Sequence, residues 1–449
     1  MLAAMPPTPP TTPNQGEPLI RDRGDACPGA LRLHPADDGR LARLRLPAGK
    51  LTARQVRCLA LAADELGDGR ISVTSRGNVE LRGLGEDCGA ALAGLLAPAG
   101  LLPSVTHERV RNIVASPLAG VDGNGCQDVQ LWARELDALL CSRDWTTALS
   151  GRFLFALDDG RDDVGGLGAD VTLFSTSGHS SALSAPPATS SRASGSGALL
   201  RVAGCRVFRV AAADAPRAAL AAADAFLAAA REAGTGAWRV RELPEGVAPD
   251  LAAALDRAGV PAAPVGPDAP GAAGPDSGGA APLPGVHAHP LTGKHAVAVA
   301  VPLGRLTSAQ LRALAPDDGD DGELRLTPWR GAVVTGLADR AAAGARLDAL
   351  AEAGLITRAG SPWLGVGACT GRPGCAKSLA DVRADATPGH GAGGLPVHFS
   401  GCARRCGHPK GTWVDVVATG DGTYEVDGVP TPRTQLAAAV ATARTPTTR

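Results

Sequence analysis

Residues 41–60 read LARLRLPAGKLTARQVRCLA, and residues 296–315 read AVAVAVPLGRLTSAQLRALA. Pro47, Gly49, Leu51 and Thr52 of the first stretch recur in the second as Pro302, Gly304, Leu306 and Thr307, each 255 residues on. Downstream, ISVTSRGNVELRGL (71–84) is answered by LRLTPWRGAVVTGL (324–337), and Gly77 and Gly100 recur as Gly331 and Gly354 at an offset of 254. One residue of slippage over so long a stretch marks an internal duplication.

Each copy shows its local structure. Leu44 and Leu46 alternate with Arg43 and Arg45, the two-residue period of a half-buried strand, and Val297, Val299 and Val301 hold the same place in the second copy. Thr52 with Gln55, and Thr307 with Gln310, form capping boxes. Behind the first cap, Val56, Leu59, Ala63 and Leu66 share one helical face. A strand, an Arg-Gly step, a second strand and an Ala/Leu-rich helix follow. The order β-α-β-β-α predicts an α+β protein of two ferredoxin-like half repeats about a pseudo-twofold.

The 449 residues are 44% apolar and 20% charged, enough for roughly three domains with real cores. A net charge of -1 gives no reason to invoke nucleic acid or an anionic membrane. No apolar run reaches the ~18 residues of a membrane span. The first residues, MLAAMPPTPPTTPNQGEP, lack the apolar segment of a secretory signal, so a cytoplasmic location is expected. Aromatics are only 3%, so the cores must rest on Leu, Val and Ala. Residues 1–18, 175–198 and 260–285 are too biased in Pro, Thr, Ser, Ala and Gly to pack. The expected organisation is a disordered tail over 1–25, repeat one over 26–105, an α+β domain over 106–259 with a flexible insertion at 175–198, a linker over 260–285, repeat two over 286–357, and a further α+β domain over 358–440.

Six of the ten cysteines (Cys27, Cys58, Cys88, Cys126, Cys141 and Cys205) are scattered singly. The other four lie in GACTGRPGCAKSLADVRADA and VHFSGCARRCGHP: Cys369 and Cys375 with five residues between them, then 26 residues, then Cys402 and Cys406 with three between them. Four thiolates can hold a cubane iron–sulfur cluster. Zinc competes, although its knuckles favour C-x2-C to C-x4-C, and unrelated buried cysteines are the bland alternative. Gly367, Gly371, Gly374 and Gly401 would let backbone approach a bulky inorganic core.

This cysteine pattern on two ferredoxin-like repeats resembles the sirohaem nitrite/sulfite reductase superfamily over roughly residues 26–160 and 286–420. VTSRGN, VRNIVASPLAG and LSGRFLFALDDGRDDV support it. The resemblance implies a tetrapyrrole-binding domain over 106–259 and a 4Fe–4S-binding domain over 358–440, with a cluster-bearing part built from both halves. It places the 4Fe–4S cluster on Cys369, Cys375, Cys402 and Cys406, with Cys406 nearest the macrocycle and Arg76 and Arg111 facing it. Two departures stand out. The reductases' Lys-x-Lys step reads Arg152-Phe153-Leu154 here, and their Asn between the last two cysteines is Arg404. CTGRPGCAKSLADVRADA, GRFLFALDDGRDDV and LTPWRG look more like the precorrin-3B synthase branch of aerobic cobalamin biosynthesis. That branch implies a monooxygenase acting on precorrin-3A with dioxygen.

A tetrapyrrole fringed with carboxylates calls for guanidinium forks. Arg76, Arg111, Asn112, Arg152 and Arg330 are the expected substrate-binding residues, and no catalytic residue is singled out. Arg372 and Arg404 flank the cysteines, where they would balance cluster charge or contact substrate. The branch is taken to use a non-haem iron, which wants two His and a carboxylate. His398 and His408 with Asp381 or Asp385 are candidates, and the linker-edge His287, His289 and His295 are weaker ones. No dinucleotide fingerprint is present, so NADH or NADPH would act indirectly, through a ferredoxin or reductase. The acidic stretches 158–163 and 317–322 would be solvated turns or a docking loop for that carrier. Pairing within one chain suits a monomer. The alternatives are a ferredoxin-dependent reductase holding sirohaem and a non-catalytic electron-relay or metal-binding protein.

Overall fold

The computed structural model describes residues 25, 27–176, 197–266, 279–317, 322–388, 394–409 and 411–445. The Pro/Thr tail, residues 177–196 and residues 267–278 lie outside these residues. Where described, each of the other two biased stretches contributes to a strand. Val171–Thr176 pairs with Gly197–Val202, and Ala262–Pro264 forms an edge against Phe208–Ala211.

The two copies follow the expected order. In the first, strand Gly39–Leu44, helix Ala53–Leu66, strands Arg70–Val73 and Val79–Leu84 and helix Gly89–Leu96 succeed one another. In the second the series is His295–Ala300, Ser308–Ala313, Leu324–Leu326, Gly331–Leu337 and Arg340–Glu352. Both capping boxes close: Gln55 accepts from the Thr52 N–H at 3.0 Å and Gln310 from the Thr307 N–H at 2.9 Å. Each glutamine also donates its amide to the far end of its repeat, at the carbonyls of Ala99 and Ala353. Even the backbone distortion is duplicated, for Ala48 (φ 56°) and Leu303 (φ 50°) both sit in the left-handed region just before a glycine.

That distortion turns the chain across to the other copy. Lys50–Leu51 adds to the edge of the second copy's sheet beside Leu324–Leu326, and Arg305–Thr307 adds to the first copy's sheet beside Arg70–Val73. Each sheet therefore has five strands, one of them lent by the other copy. Gly49 lies so close that a Cβ would stand 1.9 Å from the Leu326 carbonyl oxygen, which only glycine permits. Leu51 and Leu306 are fully buried in one core that runs through both repeats. Burying both strands together is what neither half could do alone.

Two further sheets flank this pair. A six-stranded mixed sheet runs in the order Ala262–Pro264, Phe208–Ala211, Gly197–Val202, Val171–Thr176, Phe155–Asp158, Ile113–Ala115. Helices Val129–Cys141 and Ala215–Ala233 pack with it in one core, where Phe153, Phe155 and Phe226 supply most of the aromatic bulk. A five-stranded sheet begins with two parallel pairings, Val366–Ala368 on Val397–Ser400 on Val414–Gly420, and is backed by helix Leu436–Arg444. Among the described residues no helix is long and apolar enough to cross a membrane.

Candidate active site

The four clustered cysteines all leave the C-terminal ends of two adjacent parallel strands, the usual position for ligand-binding loops. Val366–Ala368 delivers Cys369 and the loop to Cys375; Val397–Ser400 delivers Cys402 and Cys406. The loops are tied together. The Cys369 N–H donates to the Phe399 carbonyl (2.9 Å), the Leu379 N–H to the Gly401 carbonyl (2.7 Å), and the Gly401 N–H to the Cys369 Sγ (3.2 Å). A Cβ at Gly401 would fall 1.9 Å from the Ser378 hydroxyl, so this crossing also requires glycine. The first repeat holds the Cys375 loop from outside. Arg82 forks onto Asp38 and donates to the Gly374 carbonyl (2.9 Å), and Asp37 accepts from the Ala376 N–H (2.6 Å).

All four thiols are free. Burial pushes the Cys369 thiol up, and the N–H groups of Gly401 and Gly371 oppose that shift by favouring thiolate. Four sulfurs on one zinc ion, each at ~2.3 Å, would lie within about 3.8 Å of one another. Among the described residues no three of these thiols gather even within 4.8 Å. The donor set is all thiol, the loops are glycine-lined, and backbone N–H groups point at sulfur. These features suit a thiolate-held cluster.

Beside these loops lies a cavity of about 700 Å³. Trp329, Trp363 and Leu154 give it apolar walls, and Arg76, Arg330 and His398 project polar groups into it. Arg330 adopts φ 58° and donates to the Gly407 carbonyl (2.7 Å), which fixes it between the second repeat and the Cys406 loop. His398 is fully buried. It binds the Cys406 carbonyl through Nε2 (3.0 Å), leaves Nδ1 without a partner, and is pushed down to about 4 by burial and by Arg330.

A second cavity of about 560 Å³ adjoins the first across Ser75, Arg76, Arg239 and Arg241. Arg43, Arg45, Arg76, Arg152, Arg239 and Arg241 line it. Asn112 forms its frame, accepting from Asn78 (3.1 Å) and donating to the Gly151 carbonyl (2.6 Å). Arg76 donates to the carbonyls of Gly151 and Arg152, and burial pushes it down to about 10. Arg152 lies over the Trp238 ring, 4.7 Å from its centroid.

The structure thus gathers Arg76, Asn112, Arg152 and Arg330 around two joined cavities. Arg111 is not among them: it is buried and spends its fork on Asp137, with both bonds at 2.6 Å. Of the candidate iron ligands, His398 and His408 line the first cavity, and Asp381 and Asp385 do not. His408 stacks on Trp413, Asp381 caps the turn Val382–Asp385, and Asp385 binds Tyr424 and Arg433. His287 and His295 bind the backbone of their own hairpin. Among the described residues, no three of these groups bring ligand atoms within 4.8 Å of one another. Arg372 braces its loop through the Ser378 carbonyl, and Arg404 is exposed.

Residues 158–163 correct an expectation. Three of their four acids are not solvated, for Asp158 and Asp159 are fully buried and Asp163 nearly so, while Gly160 and Asp162 stay exposed. Asp158 accepts from four backbone N–H groups (Gly160, Asp162, Val164 and Gly165) and so closes the turn itself. Arg161 supplies counter-charge to Asp159 and Asp122. Of the other acidic stretch, residues 318–321 lie outside the described residues. Asp163 accepts from Ser116 (2.6 Å), and burial beside Asp158 and Asp159 raises it to about 7. An acid raised in the folded state binds its proton there more tightly than in the unfolded chain. Its stabilising contribution is complete below about pH 4 and is lost as pH rises through about 7. The thermal midpoint of the native protein should therefore fall between pH 5 and pH 8 by more than that of Asp163→Asn. Parallel pH profiles would show that Asp163 is not the titrating group.

Sequence reading missed Arg43, Arg45, Arg82, Arg239 and Arg241. A signal for the first two was present, since they alternate with core leucines. That pattern marks a second face, and only the neighbouring sheet decides whether water or a cavity covers it.

Comparison with known proteins agrees with this architecture. The "Nitrite/Sulfite reductase ferredoxin-like half domain" family matches residues 34–98 and 289–351, the two repeats. A precorrin-3B synthase from Sinorhizobium sp is 29% identical over 423 residues, covering 92% of this chain and 84% of that one. A ferredoxin–nitrite reductase from Synechococcus elongatus is 35% identical over 136 residues, covering 29% of this chain and 27% of that enzyme. The solved NirA protein of Mycobacterium tuberculosis shares the fold, with TM-score 0.59 at 19% identity over 86% of this chain and 74% of that one.

Proposed function

We propose that this chain, which carries two nitrite/sulfite reductase ferredoxin-like half domains and is 29% identical to a precorrin-3B synthase, is an oxidoreductase that converts precorrin-3A to precorrin-3B. In that reaction the meso carbon between rings A and D is hydroxylated and a ring A acetate closes a lactone. One atom of dioxygen enters the product and the other leaves as water. Two electrons balance the step, drawn from a reduced nicotinamide through a separate ferredoxin or reductase. Held by Cys369, Cys375, Cys402 and Cys406, a 4Fe–4S cluster would pass those electrons one at a time.

One observation carries this reading: the wall at residues 152–154. A reductase needs two cations there to hold and protonate an oxyanion. Here Arg152 is turned onto Trp238, and Leu154 is buried in an apolar cluster against which Trp329 packs. That wall suits an apolar macrocycle and dioxygen. Arg76 and Arg330 would orient the macrocycle by its carboxylates, while Trp329 and Trp363 exclude water from its face.

The test is anaerobic purification, absorption and EPR spectra before and after dithionite, then turnover of precorrin-3A under ¹⁸O-labelled dioxygen. The expected result is a reducible cluster, no sirohaem band and one labelled atom in the product. A stoichiometric sirohaem band with reduction of nitrite or sulfite would overturn the proposal in favour of a reductase. A colourless protein carrying zinc would remove both redox readings.

A further inference from the structure

Arg383 stands beside the cysteine loop that leaves strand Val366–Ala368. Its Nη1 donates to the Leu303 carbonyl (3.2 Å) and its Nη2 to the Ala368 carbonyl (3.4 Å), one residue before Cys369. Its segment runs along that loop. The Arg372 N–H donates to the Ala380 carbonyl (3.1 Å), and a Cβ at Gly371 would stand 3.0 Å from the Val382 Cγ2. The Arg383 Nε is buried and has no partner. Among the described residues no carboxylate pairs with this guanidinium. The acids of its own turn are committed, Asp381 to the N–H groups of Arg383 and Ala384, and Asp385 to Tyr424 and Arg433. The other arginines that brace the cysteine loops differ. Arg82 is forked onto Asp38, Arg405 is paired with Asp415, Arg372 is exposed, and Arg330 faces the first cavity. A guanidinium withdrawn from water without a counter-ion is costly and calls for an explanation.

We propose that Arg383 is a fixed counter-charge for the four-thiolate frame, which raises the reduction potential of the cluster held there. The proposal rests on the iron–sulfur reading above. Reduction adds one negative charge to a frame that already carries four thiolates, so a nearby cation stabilises the reduced form more than the oxidised one. The two carbonyls fix where that cation sits. Leu303 belongs to the left-handed turn of the second repeat and Ala368 to the strand that delivers Cys369, so the guanidinium is held at their seam. Burial, with the cations Arg305, Arg330 and Arg70, pushes Arg383 down to about 10, and Cys369 pulls it the other way. At neutral pH it stays protonated, and among these neighbours only Cys369 can carry negative charge. Arg383 acts here only through the cluster, not by contact with substrate.

The test is a redox titration of the anaerobically purified full chain followed by EPR, with iron content measured on the same samples. Arg383→Met removes the charge and keeps most of the bulk. At any fixed potential its reduced-to-oxidised ratio should fall roughly tenfold, a midpoint about 59 mV lower for one electron. Arg383→Lys keeps the charge and should stay within about twofold of the native ratio. Arg404→Gln, on an exposed neighbour of Cys402 and Cys406, should also stay within about twofold, because water screens it. Should Arg383→Met shed its iron, Arg383→Gln carries the same expectation, since it too is neutral. A native ratio in the neutral variants would overturn the proposal. Equal falls in Arg383→Met and Arg383→Lys would make Arg383 a strut for the loop and overturn it too, as would loss of iron from both neutral variants. A fall as large in Arg404→Gln would show that burial does not single out Arg383. If the native protein holds no iron–sulfur cluster, the reading above falls as well. A reducible native cluster with an unmoved ratio sinks only the role of Arg383.

Discussion

Replacing Cys402 with alanine is expected, on the proposed reading of the four thiols as cluster ligands, to leave the anaerobically purified protein without an iron–sulfur chromophore. Cys402 follows strand Val397–Ser400, and Cys369 follows the paired strand Val366–Ala368. Removing one of four thiolates from such a frame takes away a ligand that no neighbour can replace. The described thiols outside it, such as Cys58 and Cys205, sit in other cores. Iron and sulfide content should fall to near background, and the dithionite-dependent EPR signal should vanish. Cys58→Ala should retain both. The fold should persist, because the three hydrogen bonds that tie the loops run through backbone groups and Cys369. Full iron content in Cys402→Ala would remove this residue from the ligand set.

A second large effect is expected at Asp170. This buried carboxylate accepts from the N–H groups of Leu154 (2.8 Å) and Val240 (2.9 Å) and from Arg239 Nε (2.5 Å). Burial pushes it up, and Arg239 is the largest influence opposing that. It therefore ties the apolar wall of the first cavity to the arginine rim of the second. Asp170→Ala strands a buried guanidinium and two N–H groups, at a cost of about 3–5 kcal/mol. In a domain of this size that is a fall of roughly 10 °C in thermal midpoint. Asp170→Ala combined with Arg239→Met should regain most of the loss, since the double variant no longer holds an unpaired charge. A drop of a degree or two in the single variant would show that water or another residue already satisfies Arg239.

Much of this architecture was legible because it repeats. Thr52 with Gln55 and Thr307 with Gln310 announce two helix starts, and both capping boxes close as read. Leu44 with Leu46, and Val297 with Val299, announce strands that lie in one core. These are local signals: a cap needs four residues and a strand's period needs two. Arg111 shows the limit. A motif position marked it for the site, yet Asp137 on helix Val129–Cys141 takes its fork. Asp158 shows the same limit in reverse, since a run of acids looks solvated until the backbone N–H groups that bury it are known.

By itself the sequence determined the duplication, the order of elements in each copy and the four thiols at cluster spacing. Each of these depends only on which residue follows which. Tertiary structure alone decided the exchange of Lys50–Leu51 and Arg305–Thr307 between copies and the division of the cavity in two. It also decided which arginines are spent on carboxylates and which remain unpaired. The physical reason is that the state of a buried charge is set by what packs against it. For Arg45 those neighbours include Gly151, 106 residues away along the chain.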